Sequence, residues 1–281
     1  MITNENKSAF SYFIAVLLST YKKNRITVRN AYPISIILQR IISIITGICF
    51  PIIIYYIVFD GHLSETFKKH SNTTDYITYI TLGYASFILT FSVLMNVGRA
   101  LITEYREDTL SILLLSPASR FSYILGVYIE QFFRSLLEFL AILFFGIFFG
   151  AKIPIEQFPY FIFFVLLISL ASFSISNVVS SIMILTRDTY IVQNTFIAIL
   201  LIICGITFPI NYLLKILQFV GMTFPLTPAL TAFRNCVIEH QPIYENMHLI
   251  LLAIASSILF ILFGGYMFKK MEKNILQEIY S

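Results

Sequence analysis

The sequence predicts an all-α polytopic membrane protein with six transmembrane helices. It adds an N-terminal interface helix, a short helix in the first inner loop and short outer helices before the last span. Three observations carry this prediction. Of the 281 residues, 58% are hydrophobic and only 12% charged, where soluble domains carry roughly 25% charged residues. The apolar residues form long runs, close to the ~20 residues that a helix needs to cross the hydrocarbon core. Lys and Arg collect at the ends of those runs, as they do at membrane boundaries. The net charge of +4 is therefore spread and forms no nucleic-acid-binding patch. Cys49, Cys204 and Cys236 fit no metal or redox spacing and read as packing residues.

The first 32 residues hold an apolar stretch over 8–21 that is too short to span a bilayer. Its basic cluster, Lys22, Lys23, Arg25 and Arg29, follows the apolar run, the reverse of a signal peptide. An amphipathic helix in the cytoplasmic interface fits this order. Residues 33–268 form the six-span unit. The spans are expected at 33–59, 76–98, 120–150, 158–185, 189–207 and 247–268. Pro51 lies inside the first, tolerable where neighbouring helices satisfy the freed carbonyl. Residues 60–75 form a polar loop, and 269–281 a basic tail.

The inner loop over 99–120 is an island of charge between two apolar runs. Glu104 and Glu107 suit the first turn of a helix. Arg106 and Asp108 stand between and beside them. Leu110, Leu113 and Leu114 share one helical face. Pro117 ends that helix at Ser116, which can cap the next one. The spacing therefore predicts a short helix lying across the membrane surface, best placed to meet another protein. A second inner loop, Thr186-Arg187-Asp188-Thr189, is tight, and Asp188 or Thr189 can cap the fifth span.

The run Glu104-Tyr-Arg-Glu-Asp-Thr-Leu110, followed by Ser116-Pro117 and a basic residue, resembles the first cytoplasmic loop of ATP-binding-cassette type-2 exporter permeases. Such loops often read acidic-x-Arg-acidic-Gly-Thr-Leu and then Ser-Pro. This sequence departs from them at Asp108, where Gly is usual, and at Ser111, where an acidic residue is common. The resemblance implies a coupling helix, with Arg187 and Asp188 beside it, seated in a groove of a separate ATPase subunit. It also implies a second permease copy or related permease, and contact between the N-terminal helix and the ATPase. This sequence holds no G-x-x-x-x-G-K-[ST] run, so ATP and Mg are expected on the partner, with no cofactor and no catalytic residue on this chain.

Residues 209–240 are apolar but interrupted by Pro209, Gly221, Pro225 and Pro228. Two short helices dipping into the outer leaflet would reconcile this, and an amphipathic loop on the outer surface is the alternative. The run Pro225-Leu-Thr-Pro228 with Arg234 resembles the family segment before the last span, which implies a re-entrant outer gate.

Glu130, Arg134 and Glu138 share one face of the third span. From Arg120 they begin about 15 Å along the helix, at ~1.5 Å per residue. Charges at that depth normally face a cavity or a partner, here the translocation route or a subunit seam. A self-neutralising structural ladder is the other reading. Asn96, Asn177, Gln193 and Asn194 are expected to hydrogen-bond between helices.

Twelve Lys and Arg residues fall on the side holding both termini, the 99–120 loop and Arg187, against five on the other. Both termini are therefore expected in the cytoplasm. High Ile, Lys and Asn usage points to a bacterial cell membrane. The expected activity is ATP-driven export of a drug, antimicrobial peptide or lipid-like molecule. Two other classes stay open: a secondary transporter or channel using the Glu130/Arg134/Glu138 ladder, and an immunity protein that binds lipid or peptide.

Overall fold

The computed structural model describes residues 2–31, 33–58, 60–61, 75–115, 119–153 and 155–280. Every regular element among them is helical. In order these are α1 (Ile2–Ala31), α2 (Pro33–Val58), α3 (Tyr76–Arg106), α4 (Leu110–Leu115), α5 (Arg120–Phe148), α6 (Phe158–Thr186), α7 (Thr189–Ile203), α8 (Lys215–Thr223), α9 (Leu226–Val237) and α10 (Met247–Tyr280). Short 3-10 turns precede α6 and α8.

Among the described residues, α3, α5, α6 and α10 are long and apolar enough to cross a membrane. Two further apolar helices are shorter, Ile41–Ile57 within α2 and Thr189–Ile203. Four of the six expected spans therefore meet the length requirement by themselves. The expected fifth span stops at Ile203 instead of near residue 207, because Gly205 takes a left-handed φ of +67° and turns the chain. The expected second span runs past Gly98 to Arg106. Nothing between these residues breaks a helix, and the two arginines that mark a loop in sequence find partners on α7, described below.

The bundle is built around α3 and α6, which are buried over most of their apolar length, whereas α5 and α10 are buried over about a third. Asp75 starts α3 by accepting from the Ile77 and Thr78 amides at 3.1 and 3.3 Å. α5 and α6 both pack on α3, and α10 packs on α6. Small residues let the axes approach. Ser172 of α6 meets Thr90 of α3 at 2.9 Å, and Ser181 donates to the Gly264 carbonyl of α10 at 3.1 Å. α1 lies on α5, where Gly126 makes room: a Cβ there would stand 2.7 Å from the Leu17 carbonyl oxygen. Ser116 and Pro117 lie outside the described residues, as does most of the 60–75 loop.

Candidate functional site

Glu104 sits in the last turn of α3, not in the first turn of the short helix, and it is buried. Lys23 of α1 donates to its Oε1 at 2.6 Å, and Tyr123 of α5 donates to the same oxygen at 2.8 Å. The Thr109 hydroxyl donates to Oε2, and the Thr109 amide donates to the Glu104 carbonyl at 3.0 Å. One carboxylate thus joins α1, α3, α5 and the turn into α4. A buried carboxylate is tolerated only when donors surround it. Each hydrogen bond to a charged group contributes about 1.5–3 kcal/mol. Lys23 remains more than half exposed, so its ion pair adds little, whereas the buried Tyr123 bond carries more.

The turn after α3 places Asp108 at φ +57°. That left-handed conformation suits Gly best and Asp tolerably, which accounts for Asp standing where similar loops carry Gly. The Thr109 carbonyl then accepts from the Leu113 amide at 3.1 Å and opens α4. The helix divides its apolar residues. Leu110 is fully buried and Leu113 packs against the core. Ile112 and Leu115 are exposed at 69% and 60%. Arg106, Glu107 and Asp108 are exposed beside them.

The 186–189 loop is fastened to the same end of α3. Arg187 is left-handed and ends α6, and Asp188 caps α7 by accepting from the Ile191 amide at 3.0 Å. Arg106 donates to the Thr189 hydroxyl at 3.1 Å, and Arg187 lies over the Tyr105 ring. Arg99 donates to Gln193 at 2.7 Å, and Gln193 donates to the Met95 carbonyl at 3.1 Å.

Glu130 and Arg134 form an ion pair within α5. They line a polar cavity of about 260 Å³ between α1, α3 and α5, together with Lys23, Arg99 and Glu104. Glu138 accepts from Ser92 of α3 at 2.8 Å, so Glu130 and Arg134 pair with each other while Glu138 is tied to α3.

At the opposite end of α3, α8 and α9 meet at a bend of 95°. Pro209 opens the turn before α8, Gly221 is buried within α8, and Pro225 starts α9 with Pro228 in its first turn. Arg234 of α9 is buried and stacks on Tyr79 of α3, with 3.6 Å from Cζ to the ring centroid. Its guanidinium donates to the Gly205, Ile206 and Tyr79 carbonyls at 2.5, 2.7 and 3.2 Å. Gly83 makes this fit possible. A Cβ there would stand 2.1 Å from Arg234 Nη2 and 2.3 Å from the Ile206 carbonyl oxygen.

The family model for ABC-2 family transporter proteins matches residues 59–266, most of the helical bundle. The chain belongs to the ABC-2 transporter family. No curated relative matches the sequence. As an ABC-2 family member it is the membrane subunit of a transporter, a multi-pass membrane protein that is not itself the catalyst.

Within this ABC-2 protein the residues singled out in the 99–120 loop divide by environment. Glu104, Leu110 and Leu113 face inward, and Arg106, Glu107 and Asp108 face outward. The side chain of Leu114 is outside the description. Asn96 and Asn177 bond carbonyls of their own helices four residues back, so the interhelical role expected of them falls to Gln193. Sequence reasoning missed Lys23, Thr109, Tyr123, Ile112, Leu115 and Tyr79. The residue pattern marks only Ile112 and Leu115, which fall off the Leu110–Leu113 face.

Proposed function

We propose that this ABC-2 family protein is the permease of an ATP-driven exporter, coupled to a separate ATPase subunit and working with a second permease, identical or related. The observation that carries this is the tip of α4. Two large apolar side chains, Ile112 and Leu115, stand exposed beside Glu107 and Asp108, while the rest of the loop is anchored inward through Glu104. An exposed apolar pair rimmed by charge suits a protein groove.

In this reading α2 and α7 complete six spans, and α8 and α9 form a re-entrant outer gate. α1 lies in the cytoplasmic interface, and both termini face the cytoplasm of a bacterial cell. ATP and Mg bind the partner, and this chain holds no cofactor. The substrate is a drug, antimicrobial peptide or lipid-like molecule.

ATP-driven closure of the ATPase pair would displace its grooves and the α4 tips within them. The Glu104 joint passes that displacement to α1, α3 and α5 together. α3 carries it to the Arg234 contact beneath the outer gate. ATP thus biases a two-state membrane element through its differential docking.

The test is co-purification of the chain with an ATPase subunit from its own cells, followed by ATP turnover in reconstituted vesicles. A stable complex whose turnover responds to substrate supports the proposal. Transport that proceeds without the ATPase and collapses with the proton gradient favours the secondary-transporter reading, for which the Glu130–Arg134 cavity is the feature to pursue.

A further inference from the structure

Away from the Glu104 joint, the ends of α5 and α10 stand apart over α6 and leave a crevice of about 390 Å³. That is more than ten times the ~30 Å³ share of one water molecule, so the space is not a site for a single buried water. Its walls are apolar: Leu101 of α3, Phe121 of α5, and Ile261 and Phe268 of α10. Two adjacent glycines shape the α10 side. Gly264 sits against the Asn177 backbone, where a Cβ would be 3.0 Å away. A Cβ on Gly265 would meet nothing within 4 Å, so the crevice stays open there.

The mouth is polar and carries an excess of positive charge. Arg120 and Glu272 form an ion pair at 2.7 Å, and Lys269 lines the same mouth on the exposed side. α5 begins here, Ser119 gives it no side-chain cap, and a helix start of this kind favours an anion. The Ser180 hydroxyl is buried on the crevice floor with no partner among the described residues. An occupant that satisfies all of this has an apolar chain and an anionic head with several acceptor oxygens, and it enters from the bilayer.

We propose that this crevice holds an acidic phospholipid. Its phosphate sits at Lys269, Arg120 and the start of α5, and an acyl chain lies along Phe121, Ile261 and Phe268. The proposed topology places the site in the cytoplasmic leaflet, but lipid binding itself does not depend on ATPase coupling. A soluble phosphate makes no use of the apolar walls. A zwitterionic headgroup leaves the charge of Lys269 uncompensated, because Arg120 is already paired.

The experiment uses the full chain purified in mild detergent, with retained lipid counted by native mass spectrometry after exposure to phosphatidylglycerol or phosphatidylethanolamine. Preference for phosphatidylglycerol by about fivefold is expected, the weight of one lysine near an anionic head. Lys269→Gln should remove that preference, and Lys273→Gln, one turn on, should leave it. Gly265→Leu should lower retention of both lipids by filling the crevice, with normal elution on gel filtration confirming its fold. Equal retention of the two lipids by the unaltered chain overturns the proposal, as does equal loss from Lys273→Gln. Displacement of the lipid by inorganic phosphate alone would assign the site to a free anion and overturn the lipid occupant. Loss of lipid selectivity with an intact ATPase complex refutes this site alone. Selective lipid binding without any ATPase complex refutes the coupling reading alone.

Discussion

The guanidinium of Arg234 lies 3.6 Å from the centre of the Tyr79 ring, at the opposite end of α3 from Glu104. Between these residues α3 is unbroken for 25 residues, about 38 Å at 1.5 Å per residue. Each end is held by a buried charge. Arg234 ties it to the bent α8–α9 pair and the turn after α7, and Glu104 ties it to α1, α5 and the α4 turn. A displacement applied at one end of such a rod has few soft bonds in which to be lost.

Arg234 uses both parts of Tyr79: it stacks on the ring and bonds the hydroxyl, which itself reaches the Gly205 carbonyl at 3.4 Å. In thermal unfolding in detergent, Tyr79→Phe removes only the hydroxyl and should cost about 1.5 kcal/mol, and Tyr79→Leu, which removes the ring as well, should cost about 2 kcal/mol more. Arg234→Lys should cost more than Tyr79→Phe, because an ammonium lacks the planar fork that reaches three carbonyls. Equal midpoints for the Phe and Leu variants would remove the stacking argument.

Around Glu104 the three donors should rank by burial. Tyr123→Phe removes a buried donor to a carboxylate and should cost about 1.5–3 kcal/mol. Lys23→Met removes a largely exposed partner and should cost less than about 1 kcal/mol. Glu104→Ala strands all three donors and should be the most destabilising of the set. Unfolding midpoints measured side by side check this order, and a Lys23 effect as large as that of Tyr123 would reverse it.

Gly126 should govern whether α1 stays on α5. Gly126→Leu places side-chain atoms where the Leu17 carbonyl and Thr20 now lie, and overpacking of this kind costs about 1–3 kcal/mol. Cleavage of α1 by added protease should accelerate in this variant while the remainder of the chain stays intact. An unchanged cleavage rate would mean that α1 is held by other contacts.

Much of this arrangement is legible in the residues, and the exceptions have physical causes. The third and fourth spans are plain because Arg120, Gly150 and Asp188 bound long apolar runs, and Asp188 caps α7 as its residue type suggests, whereas α5 starts from Ser119 and not from Ser116 as Pro117 suggests. The end of α3 is misread at Gly98 because Arg99 and Arg106 look like loop residues. Only the fold supplies Gln193 and Thr189 as their partners. The role of Glu104 is hidden for the same reason: Lys23 lies 81 residues before it in the chain and Tyr123 lies 19 after it. In a helix as short as α4, three leucines at helical spacing define a face but not its direction. That direction is set by the turn at Asp108 and the buried seat of Leu110.

The central claim is that force enters through the outward face of α4. The direct measurement is photo-crosslinking from position 112 or 115 in cells that express the chain together with a candidate ATPase subunit, with position 110 as the inward control. The account predicts ATP-sensitive crosslinks to the ATPase from 112 and 115 and none from 110. No ATPase adduct from either outward position, or labelling of position 112 by an impermeant reagent outside intact cells, would contradict it.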